Sequence, residues 1–479
     1  MLSSNKDLKI YNSLTSTKDF FSPINENMVG MYVCGPTVYN TVHLGNIRTF
    51  ISFDLILRYL KHLGYNVRYV RNITDVGHLE DDSDEDKISK RAKIEKIEPM
   101  EVVQKYTNEF HSILDSFNVL KPSIEPTASG HIIEQIEMIQ EIIDKGYAYE
   151  SKGSVYFDTM TFSKDFKYSK LSNRDLDNVI NESRDLTGSN EKKNPQDFAL
   201  WKKAEDKHIM KWKSPWSLGF PGWHLECSAM SRKYLGNKFD IHGGGLDLKF
   251  PHHDCEIAQN ECLSNEVSAN FWLHANMLTL NGKKMSKSTG NSVLASEIFD
   301  GNNNIFSKSF SPMTLKFFMY QAHYRNTLDL SNEALLASEK AFEKVVQLKK
   351  DIDNLETSDI SNISSQDWVD NCYKSLNDDF NSPKLIANFF DLPKIVNEIK
   401  SGKKKIDLEN KNLLINYFSV FSTDILGLNF ESEKNDNQNQ ILDLLIEIRD
   451  KERKNKNYII SDFIRDKLNT LGINIEDKK

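Results

Sequence analysis

The segment FPHHDCEIAQNEC, residues 250–262, gathers His252, His253, Cys255, Cys262 and the carboxylates of Asp254, Glu256 and Glu261. Such a set suits metal ligation, and spacing decides which members act together. In a helix His252 and Glu256 stand four residues apart on one face, where both can reach one ion. Cys255 flanks that face, while His253 and Asp254 point elsewhere. The spacing is not the His-Glu-x-x-His of a metalloprotease. Two donors leave a zinc shell half filled, because a tetrahedral site takes about four, so a metal reading requires cysteines brought in from distant parts of the chain.

Two further stretches suit phosphate. In CGPTVYNTVHLGNIRT, Cys34 ends an apolar run, and His43, Leu44, Gly45 and Asn46 open a helical one. Free backbone N–H groups at a helix start favour phosphate, glycine permits close approach, and imidazole can donate to a phosphate oxygen. Far downstream, GKKMSKSTGN holds Lys284, Ser286, Lys287 and Ser288 in a loop, two ammonium groups with hydroxyls suited to clamping a polyphosphate. A lysine-rich loop alone is most often solvated surface. The two stretches in this order, separated by half a sheet and an insertion, argue for a nucleotide.

The elements that must position these groups follow from periodicity. MVGMYVCG (28–35) reads as a short buried strand ending in a Gly-Pro turn. Ile47, Phe50, Ile51, Leu55 and Leu60 then recur at near-helical spacing, with Gly64 placed as a stop, and YNVRYVRNIT alternates like a strand. Strand, helix and strand make a βαβ unit of the nucleotide-binding kind, whose binding edge is the turn at 34–46. An acidic stretch at 80–87 reads as an exposed loop, and helical periodicity returns at 131–150. Residues from 151 to about 197 read as an inserted subdomain with a polar tip near 172–194. KFDIH and the triple glycine 243–245 resume the α/β style, the pattern from about 313 is helical, and ESEKNDNQNQ (431–440) reads as a linker.

Composition sets the outer bounds. The 479 residues suffice for about three domains. No apolar run reaches the roughly 18–20 residues of a membrane span, and the start has no basic and apolar leader, so a cytoplasmic protein without membrane association is expected. Five cysteines, an odd and sparse set, suit a reducing compartment rather than a disulfide framework. With a net charge of −8, nucleic acid must be met by local basic patches such as 400–405 and 449–456. No extra apolar face stands out, so a monomer is expected.

His43–Asn46 resembles the HIGH signature and Lys284–Ser288 the KMSKS signature of class I aminoacyl-tRNA synthetases. YVCGPTVY, PGWHLECSAM (221–230) and FDIHGGGLDLKFPHHDCEIAQ (239–259) closely resemble cysteinyl-tRNA synthetases. The likeness is dense over 22–292, looser at 376–392 and faint at 462–477. It implies an α/β fold: a Rossmann-like parallel-sheet catalytic domain split by an inserted subdomain and followed by an α-helical C-terminal domain. The implied segments are 1–130 and 201–300 for the catalytic halves, 131–200 for the insertion, 301–430 for a helical bundle contacting tRNA, and 431–479 for a shortened anticodon-binding piece.

The same resemblance implies the activity: ATP-dependent ligation of L-cysteine to tRNA(Cys) through a cysteinyl-adenylate, with one Zn²⁺ per chain and Mg²⁺ accompanying ATP. Cys34 and Cys227 would join His252 and Glu256 on the zinc, with Glu256, the hardest donor, as the weak ligand that lets substrate thiolate in. His43, Asn46, Lys284 and Lys287 would be catalytic, and Gly45, Gly244, Asp247, Ser286 and Lys287 would bind ATP. Thr37 and Trp223 would line the amino-acid pocket. Read locally, Cys34 and Cys227 could be packing thiols, Asp247 a turn residue and Trp223 a core ring.

The chain departs from the family at Leu44 and Asn46 in the first signature, at Ser217 and Phe220 where Gly and Arg are usual, and at Cys255, a possible competitor for the metal. The competing readings are a cysteine:amino-sugar ligase using the same motifs and a non-catalytic tRNA-binding paralogue.

Overall fold

The computed structural model describes residues 7–76, 86–174, 191–206, 208–285, 291–430, 444–449, 451–453 and 457–470. The expected linker, most of the acidic loop and of the 172–194 tip, and Ser286 and Lys287 lie outside the described residues. Two units divide the chain, residues 1–428 and 429–479.

Strands β1 (Lys9–Asn12) and β2 (Thr17–Phe20) form an antiparallel hairpin. The expected βαβ unit follows: β3 (Met28–Val33), a first helix (Leu44–His62) and β4 (Asn66–Arg71), with β3 and β4 parallel. Gly64, at φ +93°, follows the helix end in a conformation that costs other residues strain. The helix is buried on almost every side, including Arg48, Ser52 and Asp54, so its core face is wider than the apolar stripe alone suggests.

The inserted piece is an antiparallel sheet of β5 (Ala148–Ser151), β6 (Ser154–Phe157), β7 (Phe198–Lys203), β8 (Trp212–Lys213) and β9 (Leu218–Pro221), in the order β5-β6-β7-β9-β8. Its strands run to Pro221, past the boundary expected near residue 200. β8 is only two residues long and β9 carries a glycine and a proline, so the local pattern there gives little strand signal. Ser217 and Phe220 belong here. The Ser217 hydroxyl donates to the Gly153 carbonyl at 2.6 Å, and Phe220 is buried in an apolar cluster with Tyr32, Met230 and Trp272.

The chain then returns to the parallel sheet with β10 (Phe239–Gly245) and β11 (Ala269–Ala275). The sheet order is β11-β10-β3-β4, all parallel. The two halves therefore run outward in opposite directions from the junction of β3 and β10, and the crevice beyond the carboxyl ends of those strands is the expected ligand position. Gly243 lacks a side chain because Phe53 of the first helix lies against it, where a Cβ would meet the ring at 2.1 Å. A three-stranded sheet of β12 (Leu278–Leu280), β13 (Lys283–Lys284) and β14 (Leu328–Leu330) follows. Helices Pro312–Tyr320, Asn332–Asp353, Ser365–Asn377, Ser382–Lys400 and Leu408–Ser419 complete the first unit. In the second unit, helix Tyr458–Thr470 carries exposed Ile459 and Phe463. Among the described residues no helix is long and apolar enough to cross a membrane.

Candidate functional site

Cys34 leaves the end of β3, and its backbone N–H donates to the Gly243 carbonyl of β10 at 3.0 Å, placing its thiol at the sheet's switch point. Cys227 comes from helix Trp223–Leu235, and Glu256 from helix Asp254–Ser264. His252 sits in the irregular turn before that second helix, where Phe250 has extended backbone (φ −138°, ψ 134°). One donor atom from each of Cys34, Cys227, His252 and Glu256 lies within 4.8 Å of all the others, and all four side chains are buried. The Cys34 and Cys227 sulfurs are 3.7 Å apart, Cys34 Sγ is 3.6 Å from Glu256 Oε1, and His252 Nε2 is 3.1 Å from the same oxygen. Zinc–sulfur and zinc–nitrogen bonds of about 2.0–2.3 Å in a tetrahedron imply donor separations of roughly 3.3–3.8 Å, so the four fit one ion.

The electrostatics point the same way. Cys34, raised by burial and by Cys227, donates to Cys227, which is held down at about 6. Burial opposes ionisation of Glu256, but His242 and His252 outweigh it and hold the carboxyl at about 2. Burial likewise opposes a charge on His252, yet Cys227 and Glu256 raise it to about 10. Glu256 Oε2 is buried without a hydrogen-bond partner. A buried anionic pole balanced by imidazole groups, with an orphaned oxygen, is a site that a divalent cation satisfies.

Histidines surround these donors. His224 Nδ1 is 3.0 Å from His252 Nδ1, which leaves His252 Nε2 facing Glu256. His253 does not point away: its Nε2 is 3.4 Å from Cys34 Sγ, and its Nδ1 is 2.9 Å from His274 Nε2. His253 precedes Glu256 by three residues, a spacing that shares a face as four does, and the turn before the helix swings both imidazoles inward. Cys34, His242, His253 and Glu256 thus form a second donor set overlapping the first. His224, His242, His253 and His274 escaped the ligand reading; the first three lie within the quoted motifs, where their density was a usable signal, and His274 lies outside them.

Cys255 faces the insertion, 3.5 Å from the Tyr168 hydroxyl, and burial pushes its thiol well up. Asp254 on the same helix accepts from the backbone N–H of Leu171 at 3.0 Å. Cys255→Ala is therefore expected to keep its metal while Glu256→Ala loses it; plasma mass spectrometry on both variants would return the opposite order if Cys255 were the ligand.

The remaining expected residues distribute around the crevice. Trp223, 39% exposed, lies with its ring centre 4.7 Å from that of His252. Thr37 is half-buried and paired through its backbone with Thr74, whose hydroxyl donates to the buried Glu226 at 3.0 Å. His43 is the N-terminal cap of the first helix, its Nδ1 accepting from the Asn46 backbone N–H at 3.3 Å, so in the neutral ring Nε2 carries the proton. Gly45, in the first turn, passes close to the His43 ring, where a Cβ would stand 2.9 Å away. Gly244 packs against Leu248 and His253, and Asp247 is exposed just beyond the end of β10. Lys284 is exposed on β13.

A model of the class I (C) tRNA synthetase catalytic domain matches residues 20–340. A cysteine–tRNA ligase of Bacteroides thetaiotaomicron is 51% identical over 98% of this chain and 97% of that relative. The chain belongs to the cysteine–tRNA ligase family. Membership extends across lineages: the Chlorobaculum tepidum cysteine–tRNA ligase is 44% identical, with 98% of this chain and 97% of that one covered. A DALR domain model matches residues 371–431, within the helical region. The synthetase fold also appears in distant solved structures. Mycobacterium tuberculosis methionyl-tRNA synthetase bound by methionyl-adenylate has TM-score 0.58 at 12% identity, covering 87% of this chain and 94% of that one. An Agrobacterium radiobacter LeuRS–tRNA–LeuAMS complex gives 0.61 at 11% identity, covering 85% of each.

Proposed function

We propose that the chain activates L-cysteine with ATP and transfers it to tRNA(Cys), and that Cys34, Cys227, His252 and Glu256 hold one Zn²⁺. The observation that carries this reading is the convergence of two thiols, an imidazole and a carboxylate at the carboxyl edge of β3 and β10, the edge from which the chain turns into the His43 helix.

A bound zinc ion would favour a substrate thiolate over a serine hydroxyl, a difference that pocket shape alone exploits by only about 10²-fold. His224 orients His252, and Trp223 beside it covers the amino acid, with Thr37 lining the same pocket. The cysteine carboxylate, already ionised, attacks the ATP α-phosphate to give cysteinyl-adenylate and pyrophosphate, so the chain need supply only positioning and charge stabilisation. His43 donates from Nε2 to the α-phosphate, assisted by the Asn46 amide. Lys284 and Lys287 neutralise charge on the β- and γ-phosphates and the Ser286 hydroxyl donates to a phosphate oxygen, while Mg²⁺ accompanying ATP would supply further positive charge there. Gly45 and Gly244 let the nucleotide approach the backbone, and Asp247 accepts from the ribose hydroxyls. Attack by the terminal adenosine of tRNA on the adenylate then releases AMP.

The expected result is cysteine-dependent exchange of pyrophosphate into ATP, followed by charging of tRNA(Cys). Exchange without charging would move the assignment to a cysteine:amino-sugar ligase. Absence of exchange would leave a binding paralogue.

A further inference from the structure

Arg48, five residues beyond His43, is 1% exposed. A buried guanidinium normally finds a carboxylate, but this one is shared among four backbone carbonyls. Nη1 donates to Asn276 at 3.1 Å and Met277 at 2.6 Å, and Nη2 donates to His323 at 3.3 Å and Asn326 at 2.6 Å. Those four residues lie in two chain segments, one leading into β12 and the other into β14. β12 and β14 pair in parallel from Leu278 opposite Leu328, and β12 turns through Asn281 and Gly282 into β13, which carries Lys284. Arg48 therefore grips both strands at the base of the lysine hairpin from the helix that begins at His43.

The turn of the hairpin is held separately. Asp329 of β14 accepts from the Gly282 backbone N–H at 2.7 Å and from the Thr279 hydroxyl at 2.6 Å. Gly282 has φ +74°, so the turn depends on a backbone conformation few side chains adopt, and the carboxylate holds its N–H beside the Asn281 N–H, which donates to the Leu330 carbonyl at 2.9 Å.

We propose that Arg48 and Asp329 are positioning residues for ATP. Arg48 fixes the base of the lysine hairpin against the phosphate-facing helix, and Asp329 fixes its turn, so that Lys284 keeps its place relative to His43. Neither need touch substrate. The inference rests on the reading of Lys284 and His43 as phosphate-binding groups.

The chemistry requires arginine at the first position. A planar fork reaches carbonyls of two segments at once, whereas a lysine ammonium, with three donors on one atom, cannot span them. At the second position only an acceptor oxygen is needed, which asparagine supplies and alanine does not.

Steady-state pyrophosphate exchange on the full-length, metal-loaded protein tests this. Arg48→Lys is expected to raise KM for ATP about 10-fold and to lower kcat, with KM for cysteine and metal content within about twofold of the parent. Asp329→Ala, at an exposed site that tolerates change, is expected to raise KM for ATP about 3-fold, and Asp329→Asn to restore it. An unchanged KM for ATP in Asp329→Ala, parallel rises in both KM values, or no rescue by asparagine would overturn the proposal. Should Arg48→Lys fail to fold, the Asp329 pair decides alone. If the parent itself gave no cysteine-dependent exchange, the functional reading would fail instead, and the same variant contrasts in equilibrium ATP binding would still decide the role of the two residues.

Discussion

Cys227→Ala is expected to lose the metal and cysteine activation together. Its sulfur lies 3.7 Å from that of Cys34 and accepts a hydrogen bond from the Cys34 thiol, so in the four-donor set it is the thiol most ready to bind as thiolate. Removing it leaves three donors and a small apolar hole in a buried site. Substituting a group that merely supports a ligand costs metal affinity about 10–100-fold, so losing a ligand sulfur should cost more than about 10²-fold. Cysteine-dependent exchange should fall by about 10³-fold or more, and the preference for cysteine over serine should drop toward the roughly 10² that shape provides. Metal content by plasma mass spectrometry, with exchange assayed on cysteine and serine, reads all three. The outcome that sinks this assignment is specific: full metal in Cys227→Ala, but loss of metal in His242→Ala or His253→Ala. The ion would then belong to the overlapping set of Cys34, His242, His253 and Glu256.

Gly35→Ala is expected to have the second largest effect, through backbone rather than ligand chemistry. An added Cβ at Gly35 would stand 1.6 Å from the carbonyl oxygen of Asn72, so one of the two chains must move. Both are tied to the site. Gly35 N–H donates to Asn72 Oδ1 at 2.8 Å, Thr74 N–H donates to the Pro36 carbonyl at 3.0 Å, and Asn72 Oδ1 is 3.7 Å from Cys227 Sγ. Overpacking against rigid backbone should destabilise by about 3 kcal/mol or more and drag Cys34 off Cys227. A depressed melting midpoint with substoichiometric metal is the expected pair of results. Gly64→Ala is the control: it has φ +93° with nothing within 4 Å of the added carbon, so it should cost only about 1 kcal/mol and keep its metal. Equal metal loss in both variants would show that global destabilisation, not the contact at Asn72, empties the site.

The site was legible in chemical type more than in arrangement. His252 and Glu256 were readable as a pair because helical spacing is local, and the helix start at His43 and the strand ending at Cys34 were readable from apolar periodicity. The orientation of His253 was misjudged because its backbone is helical and it stands three residues before Glu256, a spacing that shares the ligand face as the four of His252 does. Cys255 looked like a neighbour of the ligand face, yet its thiol turns to Tyr168, a residue of the insertion that no local pattern connects to it. The insertion's strands beyond residue 200 were missed because β8 is only two residues long and β9 carries a glycine and a proline.

By itself the sequence determined the chemistry on offer: soft thiolates, an imidazole and a carboxylate for a metal, lysines and a helix start for phosphate, and a βαβ unit to carry them. Residue type and local period are enough for that, since they act within a few positions. Only the tertiary structure decided that β10 pairs with β3 rather than following β4, which brings Cys34, Cys227, His252 and Glu256 together and puts Arg48 beneath the lysine hairpin. Strand order and the seating of a buried guanidinium are settled by covering both faces of a parallel sheet and satisfying every buried carbonyl, requirements that couple residues hundreds of positions apart.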